Sequence, residues 1–156
     1  MKPAAGGDPM RRTGRRRGQI SKLAAAGGLG FWVANFAISL TPIAAEYRAA
    51  LSIPYFPMLA EGLVGGLAIG YAVAYLLLTF NERIPGKNTV LKSVALSTVI
   101  LIGVTVLVEV PAKFLTPTND AMRYFLIGTA FNIVRILALG VVIGVLHGRS
   151  NSRARA

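Results

Sequence analysis

Residues 60–74 read AEGLVGGLAIGYAVA, and this apolar run decides the fold that we expect. Its small residues recur at every fourth position, which on a helix makes a smooth groove where a second helix can approach backbone to backbone. The same spacing returns late in the chain. We expect these positions to pack helices within the chain, while self-association and the lining of a pathway stay open as alternatives. The predicted helix-packing positions are Gly62, Gly66, Gly70, Ala74, Gly140 and Gly144.

The composition is typical of a membrane protein rather than a soluble one. Hydrophobic residues make up 54% of the 156 residues and charged residues 15%, whereas soluble domains hold about 45–50% apolar and about 25% charged residues. There is no cysteine. The chain therefore has no disulfide, no thiol nucleophile and no thiolate metal site.

Four apolar runs are long enough to cross a hydrocarbon core about 30 Å thick. They predict an all-α integral membrane protein, with four transmembrane helices in a bundle with short loops over residues 22–147. The expected spans are residues 23–45, 58–80, 93–110 and 122–146. The first run also has features of a cleaved signal peptide, but its length and the interruptions at Asn35 and Pro42 favour a retained span.

The basic residues predict how the chain lies in the membrane. The net charge is +11, and thirteen Lys and Arg fall on one predicted side against three on the other. Because Lys and Arg concentrate on the cytoplasmic side, we expect a multi-pass protein of the cell membrane with both termini in the cytoplasm. Residues 1–21 and 148–156 should be basic cytoplasmic tails, the first of them disordered.

A basic cluster in the first tail is expected to lie close to the lipid bilayer. It acts as a topology signal or binds anionic lipid headgroups, at about 1 kcal/mol for each basic residue near the surface. In a membrane protein this charge does not indicate a nucleic-acid partner. The cluster comprises Arg11, Arg12, Arg15, Arg16 and Arg17.

Arg135 lies near the middle of the fourth predicted span. An arginine at that depth costs about 2.5–3.5 kcal/mol on insertion scales, so it should face the bundle interior, a partner or water. Asn132 lies on the same side of the helix, and Glu61 and Glu109 are the available counter-charges. With Asn35 of the first span, these residues predict an intramembrane polar cluster. It forms a ligand site, or its members only satisfy each other and fix helix register.

No motif in the sequence indicates catalysis or identifies a family. A Walker loop, an HExxH pair and a GxSxG elbow are all absent, so we expect no enzyme, no metal and no cofactor. Two functions remain. The first is a non-catalytic component that assembles with itself, as a homo-oligomer, or with a membrane protein partner through its glycine-rich helix faces. The second is a small carrier or channel subunit with a polar site around Arg135 and Glu61. The sequence slightly favours the first.

Overall fold

The computed structural model describes residues 9–84, 88–115 and 120–153, and these residues form helices and turns with no strand. This confirms the predicted all-α class for the described part of the chain. The helices are α1 (Pro9–Ser39), α2 (Pro42–Ala50), α3 (Tyr55–Phe80), α4 (Thr89–Val104), a π-helical segment (Thr105–Glu109), α5 (Val110–Phe114) and α6 (Ala121–Arg153).

Three described helical stretches are long and apolar enough to cross a membrane. They are α3, the continuous stretch Thr89–Glu109, and α6. α1 meets the same criterion only together with α2, from which it is bent by 88°. Large apolar side chains cover the outside of these helices, with Val64 68% and Leu107 76% exposed. Such continuous apolar surface is rare on a soluble monomer and suits a bilayer.

The ends of the helices differ from the predicted bounds. α1 begins at Pro9, so residues 9–21 are helical rather than disordered, and α6 continues to Arg153 through most of the predicted second tail. A helix that is already nucleated extends at little cost, because each added residue forms one more backbone hydrogen bond. Ile20 and Leu23 are also buried, which holds this extension against the bundle. Residues 1–8 and 154–156 lie outside the described residues.

The first predicted span stops early, at Ser39, because a new helix begins almost at once. Thr41 caps α2, with its Oγ1 accepting a hydrogen bond from the Ala44 amide at 3.3 Å. Pro42 occupies the first turn, where its missing N–H costs nothing. The same proline cannot continue α1. Residues 42–45 therefore leave the axis of the first span, and the predicted loop 46–57 is helical as far as Ala50.

The π-helical segment Thr105–Glu109 interrupts the third predicted span. Its wide turn is closed by the Val110 amide, which donates to the Thr105 carbonyl. The next residue is Pro111, whose ring would clash with the carbonyl four residues before it in a regular α-helix. Widening the turn before the proline relieves that clash, and it sets the direction in which Glu109 points.

α1 lies between α3 and α6, and the glycines of α3 let it approach closely. A Cβ added at Gly70 would lie 2.7 Å from the Ala24 carbonyl oxygen. At Gly66 the added Cβ would lie 3.1 Å from the Gly28 carbonyl oxygen. The Cβ at Gly66 would also lie 2.8 Å from Phe31 Cδ1. Backbone therefore meets backbone at Gly70, whereas at Gly66 the groove holds both the backbone and the Phe31 ring of α1. The sequence analysis did not single out residues 24–28 of α1 as the partner of this groove.

The contact between α4 and α6 is built in the same way. A Cβ added at Gly140 would lie 2.7 Å from Ser97 Oγ, and one at Gly144 would lie 2.5 Å from Val90 Cα. The glycines of α6 thus face α4.

An apolar core fills the half of the bundle nearer the chain termini, which we call the closed half. Its buried side chains come from the middle and later part of α1, the second half of α3 and the middle of α6. They are Ile20, Leu23, Phe31, Val73, Ala74, Leu77, Ile136, Leu139 and Ile143.

Candidate functional site

The other half of the bundle, which we call the cavity half, encloses a cavity of about 300 Å³. Its walls are the end of α1, α2, the start of α3, the π-helical segment and the middle of α6. Four of the five residues of the predicted polar cluster line it, namely Asn35, Glu61, Glu109 and Arg135. The structure thus brings together side chains that lie up to a hundred residues apart in sequence.

The fifth residue, Asn132, bridges two of the others. Its Nδ2 donates to Glu109 Oε1 at 3.0 Å, and its Oδ1 accepts from an Arg135 Nη at 3.1 Å. The guanidinium also lies over the Phe131 ring, 5.8 Å from its centroid. One amide therefore links a carboxylate to a guanidinium, and both hydrogen bonds are of the stronger, charge-assisted kind. Of the two predicted counter-charges, Glu109 is therefore the one that Asn132 links to Arg135.

The absence of a side chain at Gly128 makes room for this arrangement. A Cβ there would lie 2.8 Å from Tyr47 Oη and 3.1 Å from Glu109 Oε2. Polar groups from α2 and from the π-helical segment therefore converge on bare backbone of α6, one helical turn before Asn132.

Asn35 occupies the glycine groove at the level of the cavity. It is 2% exposed, and its Nδ2 contacts the place where Gly62 would carry a Cβ. This Nδ2 and the Arg135 Nε are buried donors with no hydrogen-bond partner in the described part of the chain. A buried donor left unsatisfied costs about 1–3 kcal/mol, so both favour an acceptor supplied from the cavity.

α2 packs across this half of the bundle through Tyr47. Its ring meets Tyr124 and Phe131 of α6 edge-on, with centroids 6.1 and 5.6 Å away. At the rim, Arg123 of α6 forms an ion pair of 2.6 Å with Glu46. α2 therefore packs on α6, and the face of α2 that carries Ala44, Tyr47 and Arg48 forms one wall of the cavity.

Arg48 of α2 is a cavity residue that sequence reasoning missed. One Nη donates to the Ser39 carbonyl at 3.1 Å, and the guanidinium lies 5.0 Å from the centroid of the Tyr55 ring. The sequence predicts a loop over residues 46–57, which includes Arg48. The signal that finds it is the pair Thr41–Pro42, a typical helix start, which puts Ala44, Tyr47 and Arg48 on one helical face.

The cavity carries both signs of charge in equal number. Arg135 is balanced by Glu109 through Asn132, whereas Arg48 and Glu61 form no ion pair with any described residue. Glu61 is exposed and Arg48 half-buried. The unbalanced charges therefore lie on two different helices, and of the two only Glu61 is more exposed than Arg135 and Glu109.

The predicted lipid-binding cluster lies on the first turns of α1, in the other half of the molecule. An Arg16 Nη donates to Thr79 Oγ1 at 2.7 Å, and Arg17 is exposed. The side chains of Arg11, Arg12 and Arg15 lie outside the described part of the structure.

The chain matches no known family model, and no curated protein or solved structure is detectably similar to it. Its function therefore has to be argued from the cavity itself.

Proposed function

We propose that this chain binds a polar ligand in the cavity and acts as a subunit of a membrane carrier. The observation that supports this most is the arrangement of the cavity, in which two buried donors and two unbalanced charges surround about 300 Å³ inside an apolar bundle. Polar groups at membrane depth are expensive, and ionisable residues among them indicate a functional site by default.

A carrier fits the bundle better than an open channel does. Directly beyond the cavity, Val73, Leu77 and Leu139 have no exposed area. Water that enters the cavity therefore meets a dry barrier, as in a carrier that is open to one side. Four helices form a narrow path, so the carrier would also require an oligomer.

The same proposal includes four membrane crossings, with α1 as the first span and α2 lying along the surface at the cavity end. Basic residues support this orientation, since those on the described helices and turns concentrate at the end that carries both termini, where the cytoplasmic side is expected. They are Arg16, Arg17, Lys22, Arg83, Lys92 and Arg149. The cavity then opens away from the cytoplasm.

The hypothesis that the sequence slightly favours, assembly through glycine-rich helix faces, loses its main support. Gly66 and Gly70 are covered by α1, and Gly140 and Gly144 by α4, within one chain. No specific observation now favours these faces as a surface for a second copy.

Single-cysteine labelling in sealed vesicles tests the proposal, because the chain has no cysteine of its own. Ile53 lines the cavity, whereas Val73 is completely buried in the core. A membrane-impermeant maleimide should label Ile53→Cys at least about tenfold faster than the matched control Val73→Cys. Equal rates would contradict an accessible cavity.

Labelling from the two sides separates a carrier from a fixed pocket. In vesicles of opposite orientation, a carrier should expose Gly65→Cys to reagent from both sides, at rates that differ between them, since Gly65 lines the cavity within α3 and an added Cβ there meets nothing within 4 Å. Labelling from one side alone would be consistent with a binding site but would reject the carrier.

A further inference from the structure

We infer that the ligand of the cavity is zwitterionic, carrying a cationic and an anionic group a few bonds apart. This inference rests on the proposed function and names the chemistry of its ligand. Two sources supply that chemistry, namely a free amino-acid-like solute and the headgroup of a zwitterionic phospholipid.

The charge balance of the cavity leads to this class of ligand. Asn132 joins Glu109 to Arg135, so that this pair presents no net charge to a ligand. The cavity then offers the guanidinium of Arg48 from α2 and the carboxylate of Glu61 from α3, neither of which has an ion-pair partner among the described residues. A singly charged ligand would pair with one of these groups, and by filling the cavity it would displace water from the other without giving it a counter-charge. A zwitterion satisfies both.

Asn35 and Arg135 indicate how a zwitterion would be oriented in the cavity. The Nδ2 of Asn35 and the Nε of Arg135 are donors without a protein acceptor in the described structure, and both side chains line the cavity. Buried donors favour the anionic end of a ligand on the α1 and α6 side. The exposed carboxylate of Glu61 favours the cationic end nearer the mouth. The volume of about 300 Å³ is at the small end of ligand sites, which suits a compact zwitterion.

The test measures protection of Ile53→Cys from maleimide by three probes of similar size, L-alanine, propionate and ethylamine. The protein is placed in phosphatidylglycerol bilayers, which contain no zwitterionic lipid. L-alanine should slow labelling at least about tenfold, whereas propionate and ethylamine should slow it less than about twofold. A second arm uses phosphatidylethanolamine bilayers without solute, where the same protection would identify the headgroup as the source.

Two variants test which residues pair with the charged groups of the ligand. Glu61→Gln should weaken protection by L-alanine about tenfold and leave it no better than propionate, since a charge-assisted contact is lost. Arg48→Gln should weaken it equally and leave it no better than ethylamine. Arg123→Gln is the matched control, because Arg123 lies at the same end of the bundle but pairs with Glu46 outside the cavity lining. It should change protection less than twofold.

The outcomes separate this inference from the proposed function. If propionate or ethylamine protects as strongly as L-alanine, the inference of a zwitterionic ligand is wrong, while the proposed binding cavity stands. Rapid labelling with no protection by L-alanine or by phosphatidylethanolamine would also overturn the zwitterion alone. Labelling of Ile53→Cys no faster than that of Val73→Cys would reject the proposed function itself.

Discussion

The two halves of this bundle use one glycine stripe in opposite ways. In the closed half, Gly70 receives the bare backbone of α1 at Ala24 and Gly28. Two turns earlier, at Gly62, the same groove receives the carboxamide of Asn35. Close approach without side chains gives a dry and rigid contact, while a polar side chain in the same groove opens it to hydrogen bonding. Glycines at one four-residue spacing therefore form both the close helix contact beyond the cavity and part of the cavity wall.

The largest effect is expected from breaking the closed half. Gly70→Leu would drive a side chain into the Ala24 carbonyl, which is 2.7 Å from the position of the added Cβ. Overpacking of this kind costs about 1–3 kcal/mol or more, so α1 and α3 should separate and the melting temperature in detergent should fall by about 10 °C. Gly103→Leu is the control, because nothing lies within 4 Å of that Cβ. Equal melting temperatures for the two variants would refute the close contact.

A smaller loss is expected in the cavity half from Asn132→Leu. The substitution removes the amide that joins Glu109 to Arg135 and should cost about 1–3 kcal/mol. It should also lower ligand protection of the cavity, because Asn132 holds the cavity residues Glu109 and Arg135 in place. Thr98→Val is the control, since the exposed Thr98 hydroxyl bonds only to its own helix, at Val94. An Asn132→Leu protein as stable as wild type would show that the bridge is not formed.

Gly128→Ala sharpens the comparison, because one methyl group is added against polar side chains instead of against the backbone of a neighbouring helix. It would lie 2.8 Å from Tyr47 Oη and 3.1 Å from Glu109 Oε2. Tyr47 must then shift, and α2 with it. We expect a loss of about 1–2 kcal/mol and faster labelling of Ile53→Cys. Gly103→Ala should change neither quantity, and a Gly128→Ala protein with wild-type labelling would contradict the packing of α2.

The smallest effect is expected at the rim. Glu46 and Arg123 form a short ion pair, but their side chains are 45% and 56% exposed. Exposed pairs contribute less than about 1 kcal/mol and are screened by salt. Glu46→Gln should therefore lower the melting temperature by no more than about 3 °C, and less at 1 M salt. A large loss that persists in high salt would mean that this pair, rather than Tyr47, holds α2.

Sequence reasoning reached the helical class and chose polar residues that the structure places around one cavity, because both depend on local information. An arginine at the middle of an apolar run has to face inward wherever its partners come from. The partner of the glycine groove, residues 24–28 of α1, was not predictable, since small residues indicate close approach without saying which helix approaches. Arg48 was missed because a proline was interpreted as an interruption rather than as the start of α2. The π-helical segment depends on how Pro111 is accommodated, which spacing alone does not encode.

The contact between Asn35 and Gly62 has a consequence for how this protein can evolve. A Cβ at position 62 would meet the carboxamide of Asn35, so that a side chain gained there would push this carboxamide out of its present place in the groove. Relatives of this chain should therefore keep glycine at the position of Gly62 wherever they keep a side chain as large as asparagine at the position of Asn35. They should gain alanine or serine there only after that first residue has shrunk. Along a lineage, the substitution at the position of Asn35 should therefore come before the one at the position of Gly62. A lineage that carries both side chains should have lost the cavity.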